Sequence, residues 1–94
     1  MIVSFRDADT EALHNGKRPK SVPPDIVSRA VRKLFLLDTA VRLEDLRVPP
    51  GNKLESLSGN REGQHSIRVN DQWRICFEWF DGDAYNVEFV DYHK

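Results

Sequence analysis

Three stretches in the last third of the chain alternate between apolar and polar positions. They are His65-Ser66-Ile67-Arg68-Val69, Trp73-Arg74-Ile75-Cys76-Phe77-Glu78-Trp79 and Tyr85-Asn86-Val87-Glu88-Phe89, and in all three the odd positions are mostly apolar. A period of two predicts strands buried on one face, here the odd one. Upstream the period changes. Ile26, Val27, Ala30, Val31, Leu34, Phe35 and Leu37 recur at helical spacing and predict a helix from about Pro24 to Asp38 with a broad apolar stripe. Proline suits its first turn, and Asp25 complements its positive end.

Shorter signals complete the layout. Ile2-Val3-Ser4-Phe5-Arg6 reads as a first strand, and Asp9-Thr10-Glu11-Ala12-Leu13 begins a short helix with Asp7 or Asp9 as N-cap. Gly16 to Pro24 reads as a mobile, basic, solvated loop; Lys17–Pro24 is also a candidate partner-contacting segment. A turn at Leu43-Glu44-Asp45-Leu46 precedes the breaker Val48-Pro49-Pro50-Gly51-Asn52. The order β-α-α-β-β-β predicts one α+β domain over residues 1–94, a small antiparallel sheet with two helices packed on one face.

Keeping the odd faces together constrains the turns. A three-residue loop, Asn70-Asp71-Gln72, sets Ile67 opposite Ile75 and Arg68 opposite Arg74. The same parity rule makes Asp81-Gly82-Asp83 a three-residue turn, pairing Trp79 with Tyr85, Phe77 with Val87 and Ile75 with Phe89. Arg74 then lies beside Val90, diagonal to Glu88 and Tyr92. Like charges directly opposite on a sheet destabilise it. Either Glu78 and Glu88 neutralise the two arginines in an ion-pair ladder, or the polar face holds them for an anion such as phosphate. The ending Asp91-Tyr92-His93 is read two ways as well, as a solvated terminus or as proton-handling groups fixed by the strand before it.

Composition narrows the class. With 94 residues, 39% hydrophobic and 31% charged, the chain is of the ordinary globular kind. No apolar stretch approaches a membrane span, the start lacks the pattern of a secretory signal, and a lone Cys76 fits a reducing cytoplasm. His14, His65, His93 and Cys76 have no metal-ligand spacing, so neither metal nor other cofactor is expected. The net charge of −1 hides an asymmetry: residues 17–61 carry ten Lys/Arg against five Asp/Glu. That basic middle permits nucleic-acid contact without the strongly basic domain of a stand-alone binder.

The run Leu57-Ser58-Gly59-Asn60-Arg61-Glu62-Gly63, then Ser66-Ile67-Arg68, Trp73-Arg74-Ile75-Cys76-Phe77 and the closing Asp91-Tyr92-His93, resembles the host-inhibition-of-growth (HigB) toxins. These belong to the RelE/ParE superfamily of bacterial type II toxin–antitoxin systems. The resemblance spans the chain and is densest over residues 46–93. It implies a ribosome-dependent nuclease that enters the A site of the 70S ribosome and cleaves messenger RNA by attack of a ribose 2′-OH on the adjacent phosphate. It puts Asp91, Tyr92 and His93 in proton-handling and base-stacking roles and Arg74 on the phosphate. Arg68, Arg61 and Lys53 are further substrate-binding cations, and Gln72 is placed to read a base edge.

The resemblance also implies a helix-turn-helix (HigA-type) antitoxin, with operator DNA bound only through the toxin–antitoxin complex and no membrane partner. Two positions depart from a familiar form of the family, which has histidine at Glu55 and lysine at Ser58. Glu55 is therefore a candidate general base on weaker grounds, and the expected nuclease is a weak one. Two alternatives stay open: a gyrase-poisoning relative of the same fold that cuts no RNA, and a toxin-derived antitoxin-binding protein whose catalysis has decayed.

Overall fold

Residues 1–92 are described by the computed structural model of the chain. Two helices, α1 (Ala8–His14) and α2 (Val27–Thr39), precede four strands, β1 (Glu55–Ser56), β2 (Gln64–Arg68), β3 (Trp73–Phe80) and β4 (Asp83–Asp91). The strands form one antiparallel sheet in the order β1-β2-β3-β4. This is the α+β arrangement the sequence predicts, with the two-residue β1 added at one edge.

Each helix starts where local chemistry lets it. The Asp7 side chain accepts from the Thr10 backbone N–H at 2.7 Å, satisfying one orphan donor of α1. A single turn of tighter helix, Pro24–Ile26, leads into α2, with proline where its missing N–H costs nothing. Ile26 of that turn and Ala30, Leu34 and Leu37 of α2 are buried against Ile67, Ile75, Phe77 and Val87 of the odd sheet face. Phe35, assigned to the stripe by its spacing, lies outside it and is 60% exposed. The apolar stripe is wider than the sheet it covers.

The loop before α2 is more than a solvated connector. Val22 within it is buried, and Ser21 Oγ donates to Asp9 at 2.7 Å. The predicted first strand is also reduced, to two isolated parallel bridges, Ile2 with Ala84 and Phe5 with Val87. Its continuity breaks because β4 bulges at that point. Asn86 adopts φ 53° and takes the Ser4 hydroxyl on its N–H at 2.9 Å.

That bulge corrects the expected register. The β3–β4 hairpin closes with only Asp81-Gly82, at φ 52° and 85°, so that Phe80 faces Asp83 and Trp79 faces Ala84. Positive φ at both central residues is the turn whose twist suits a two-residue hairpin. The parity rule excluded this turn because it assumed an unbroken ladder. One extra β4 residue opposite Phe77 restores the expected pairing beyond it, with Ile75 opposite Phe89 and Arg74 opposite Val90. On the other side Arg68 faces Arg74 and Ile67 faces Ile75, as predicted for the three-residue loop.

Candidate active site

The even face of the sheet carries the polar side chains, but it is not open throughout. Ser66 and Cys76 are fully buried there, and Arg74 is only 9% exposed. The segment from Lys53 through Arg61 folds over them. It is anchored by Asn52, itself fully buried, whose Nδ2 donates to the carbonyls of Leu46 at 3.1 Å and Val48 at 3.3 Å. Lys33 donates to the Oδ1 of the same side chain. Lys53 then turns through the left-handed region at φ 45°, which aims its carbonyl at the sheet.

Arg74 is the centre of this arrangement. Its Nε donates to Ser66 Oγ at 2.8 Å, and its Nη2 donates to the Lys53 carbonyl at 2.7 Å and the Ser66 carbonyl at 3.4 Å. Glu55 Oε1 stands 3.3 Å from the same Nη2, and the Tyr92 ring lies 6.0 Å from the guanidinium carbon. A planar guanidinium held this way is the usual partner of a phosphate.

Two arginines can face each other across β2 and β3 because their head groups part. Arg74 turns to Ser66 and Glu55, while Arg68 pairs with Asp71 in the connecting loop. The expected ladder to Glu88 and Glu78 is thus replaced. Glu88 receives Arg61 Nη1 at 3.1 Å and Arg6 Nε at 3.5 Å, and Arg61 also donates to Gln64 Oε1 at 3.0 Å. Burial works against the charge on Arg61, but the hydrogen bond and the negative charge of Glu88 outweigh it and raise its pKa. The Cys76 thiol is itself pushed up by burial, which keeps it neutral.

The end of β4 is tied down by the β2–β3 loop. Asn70 Oδ1 accepts from the backbone N–H of Gln72 at 2.9 Å and of Trp73 at 2.7 Å, which shapes the loop. Gln72 in turn accepts the Tyr92 N–H on its carbonyl at 2.6 Å and donates its side-chain amide to Asp91 Oδ2 at 3.1 Å. Trp73 pairs with Asp91 across the ladder.

Of the residues singled out from sequence, Arg74, Glu55 and Tyr92 converge, and Asp91, the residue before Tyr92 on β4, is held by Gln72. Lys53 joins through its carbonyl. Arg68 and Arg61 sit on the same face with acids of their own, and the amide of Gln72 is engaged with Asp91. His93 lies outside the described residues. Ser66 was missed, although its even number, between Gln64 and Arg68, already put a hydroxyl on the arginine face.

A family model described as "RelE-like toxin of type II toxin-antitoxin system HigB" matches residues 3–93. The chain belongs to this family. Curated relatives of the HigB-like toxin agree over full length. Toxin HigB-1 of Vibrio cholerae is 44% identical over 95 residues, covering 100% of this chain and 99% of the relative. Endoribonuclease HigB of Proteus vulgaris is 38% identical over 93 residues, covering 99% and 100%. Among solved structures, a histidine-to-glutamine mutant of YafQ from E. coli superposes with a TM-score of 0.64 at 14% identity, covering 97% of this chain and 91% of that one. That likeness concerns the fold alone. As a type II toxin the protein has an antitoxin for a partner, and no helix among the described residues is long and apolar enough to cross a membrane.

Proposed function

We propose that this HigB-like toxin is an endoribonuclease that cuts messenger RNA in the ribosomal A site and so arrests translation. The observation that carries the reading is the pre-set Arg74 guanidinium, with a carboxylate on one side and the end of β4 on the other. The activity named for the Proteus vulgaris relative is of the same class.

In this reading Arg74 holds the scissile phosphate. Ser66 and the Lys53 carbonyl already fix its orientation, so little reorganisation accompanies the negative charge that develops on the phosphoryl oxygens. Glu55 takes the proton of the ribose 2′-OH. The freed oxygen attacks phosphorus, closing a 2′,3′-cyclic phosphate as the bond to the 5′-oxygen breaks. The departing oxygen needs a proton donor, the role that the family resemblance gives to the ending Asp91-Tyr92-His93. Tyr92, beside the guanidinium, offers its ring for a base to stack on. Gln72 is a positioning residue that aims the Asp91 carboxylate. Presentation of the message by the ribosome suits a protein whose net charge is only −1. The antitoxin is of helix-turn-helix type, represses its own operon in complex with the toxin, and carries the contact with operator DNA.

Brief expression in bacteria, with new messenger 5′-ends mapped, tests this. The full chain should produce cuts in phase with codons of translated messages. A form truncated after Val90, shown to fold by circular dichroism, should produce none. Growth arrest without new RNA ends would refute the nuclease reading in favour of another target such as gyrase.

A further inference from the structure

One group of charged side chains stands outside the constellation around Arg74. Arg6, Asn60, Arg61, Gln64 and Glu88 line an open hollow of about 300 Å³ on the even face of the sheet. Both arginines lean on a single carboxylate oxygen, Glu88 Oε1, at 3.5 Å from Arg6 and 3.1 Å from Arg61. Two guanidiniums on one carboxylate leave a surplus positive charge. Each also carries five N–H donors, more together than one carboxylate and one amide oxygen can accept. The hollow is therefore rich in donors and poor in acceptors.

Its address matters as much as its chemistry. Glu88 faces Cys76 across the ladder, and Cys76 stands two residues along β3 from Arg74, roughly 7 Å on the same face. A strand of RNA with one phosphate on Arg74 would carry its neighbouring phosphate over the hollow.

We propose that Arg6 and Arg61, pre-arranged by Glu88, form a subsite for the phosphodiester next to the scissile one, which sets the register of the RNA across the even face. This rests on the nuclease reading above. A phosphodiester has one negative charge and acceptor oxygens only, which complements the surplus charge and donors of the hollow. Glu88 keeps the two guanidiniums in place when RNA is absent and tempers their attraction for other anions.

The test is single-turnover cleavage of a defined message in a purified translation system, as a function of toxin concentration. Arg6→Gln and Arg61→Gln should each raise the half-saturating concentration about tenfold, the scale of one charge-assisted hydrogen bond, with the loss confined to that parameter. Arg74→Gln should instead abolish the maximal rate. Replacing the neighbouring phosphate by an uncharged methylphosphonate should weaken the wild type by a similar factor. It should cost the Arg61→Gln protein nothing more, because the contact is already gone. Glu88→Gln should tighten half-saturation, whereas a purely structural ion triad predicts only a lower melting temperature.

Arginine variants with wild-type half-saturation, or a methylphosphonate effect that persists in full in Arg61→Gln, would overturn the subsite. Tighter binding by an equally charged free phosphate than by the RNA linkage would overturn it as well. Failure of the wild type to cleave at all would remove the nuclease reading, and the subsite with it.

Discussion

Ser66→Ala isolates the contribution of a single hydroxyl to the candidate site. Ser66 is fully buried, and its Oγ accepts the Nε–H of Arg74 at 2.8 Å, while Arg74 itself is 9% exposed. No buried polar side-chain atom among the described residues lacks a partner, so the change creates a defect where there was none. Alanine keeps the backbone carbonyl, which still receives Nη2 at 3.4 Å. What disappears is one hydrogen bond to a charged donor, and the donor is left out of reach of water. Such a loss costs about 1.5–3 kcal/mol. For a domain of this size that corresponds to a fall in melting temperature of about 6–24 °C. The guanidinium should then sit less firmly under the phosphate, and the maximal cleavage rate should fall by about 10–100-fold, since misplacement on the ångström scale is that expensive. Thermal unfolding followed by circular dichroism, together with single-turnover cleavage, measures both quantities. In an Arg74→Gln background Ser66→Ala should reduce cleavage no further. A Ser66→Ala protein that melts and cleaves like the wild type would refute the claim that Ser66 orients Arg74.

Three other outcomes are expected. Asp7→Ala removes the α1 cap and should destabilise the fold by about 1 kcal/mol, seen as a lower denaturation midpoint with unchanged slope. Burial lowers the pKa of His65 from its ordinary 6.5. The unfolded chain therefore takes up that proton first, so stability is full above 6.5 and declines as the pH falls toward the folded-state pKa. His65→Gln should flatten that part of a stability–pH profile, and a profile unchanged by the substitution would show that His65 has no such role. Glu55→His replaces a carboxylate that holds Arg74 at 3.3 Å by a base without negative charge, and should raise cleavage. Equal or lower cleavage would count against Glu55 as the proton acceptor.

Much of this protein was legible in the order of its residues, and the limits of that legibility have physical causes. Strand faces depend on a period of two, so the odd positions Ile67, Ile75, Phe77 and Val87 could be assigned to the core without coordinates, and there they lie. The three-residue loop at Asn70–Gln72 followed from the same parity, and with it the facing pair Arg68 and Arg74. The family resemblance picked out Arg74 and Tyr92 and marked Glu55 as a departure from its pattern, and the fold brings all three together. Pattern alone could not foresee a bulge, because a left-handed Asn86 depends on the Ser4 segment packed at the edge of β4. Nor could it say which acid meets which arginine. Glu88 belongs to Arg6 and Arg61, and Arg74 to Glu55, because long side chains choose partners by where the Lys53–Arg61 segment closes over the sheet. Periodicity along one strand determines which way a side chain points, whereas its partner depends on chain returning from residues far away in sequence. That return was decided only in the tertiary structure.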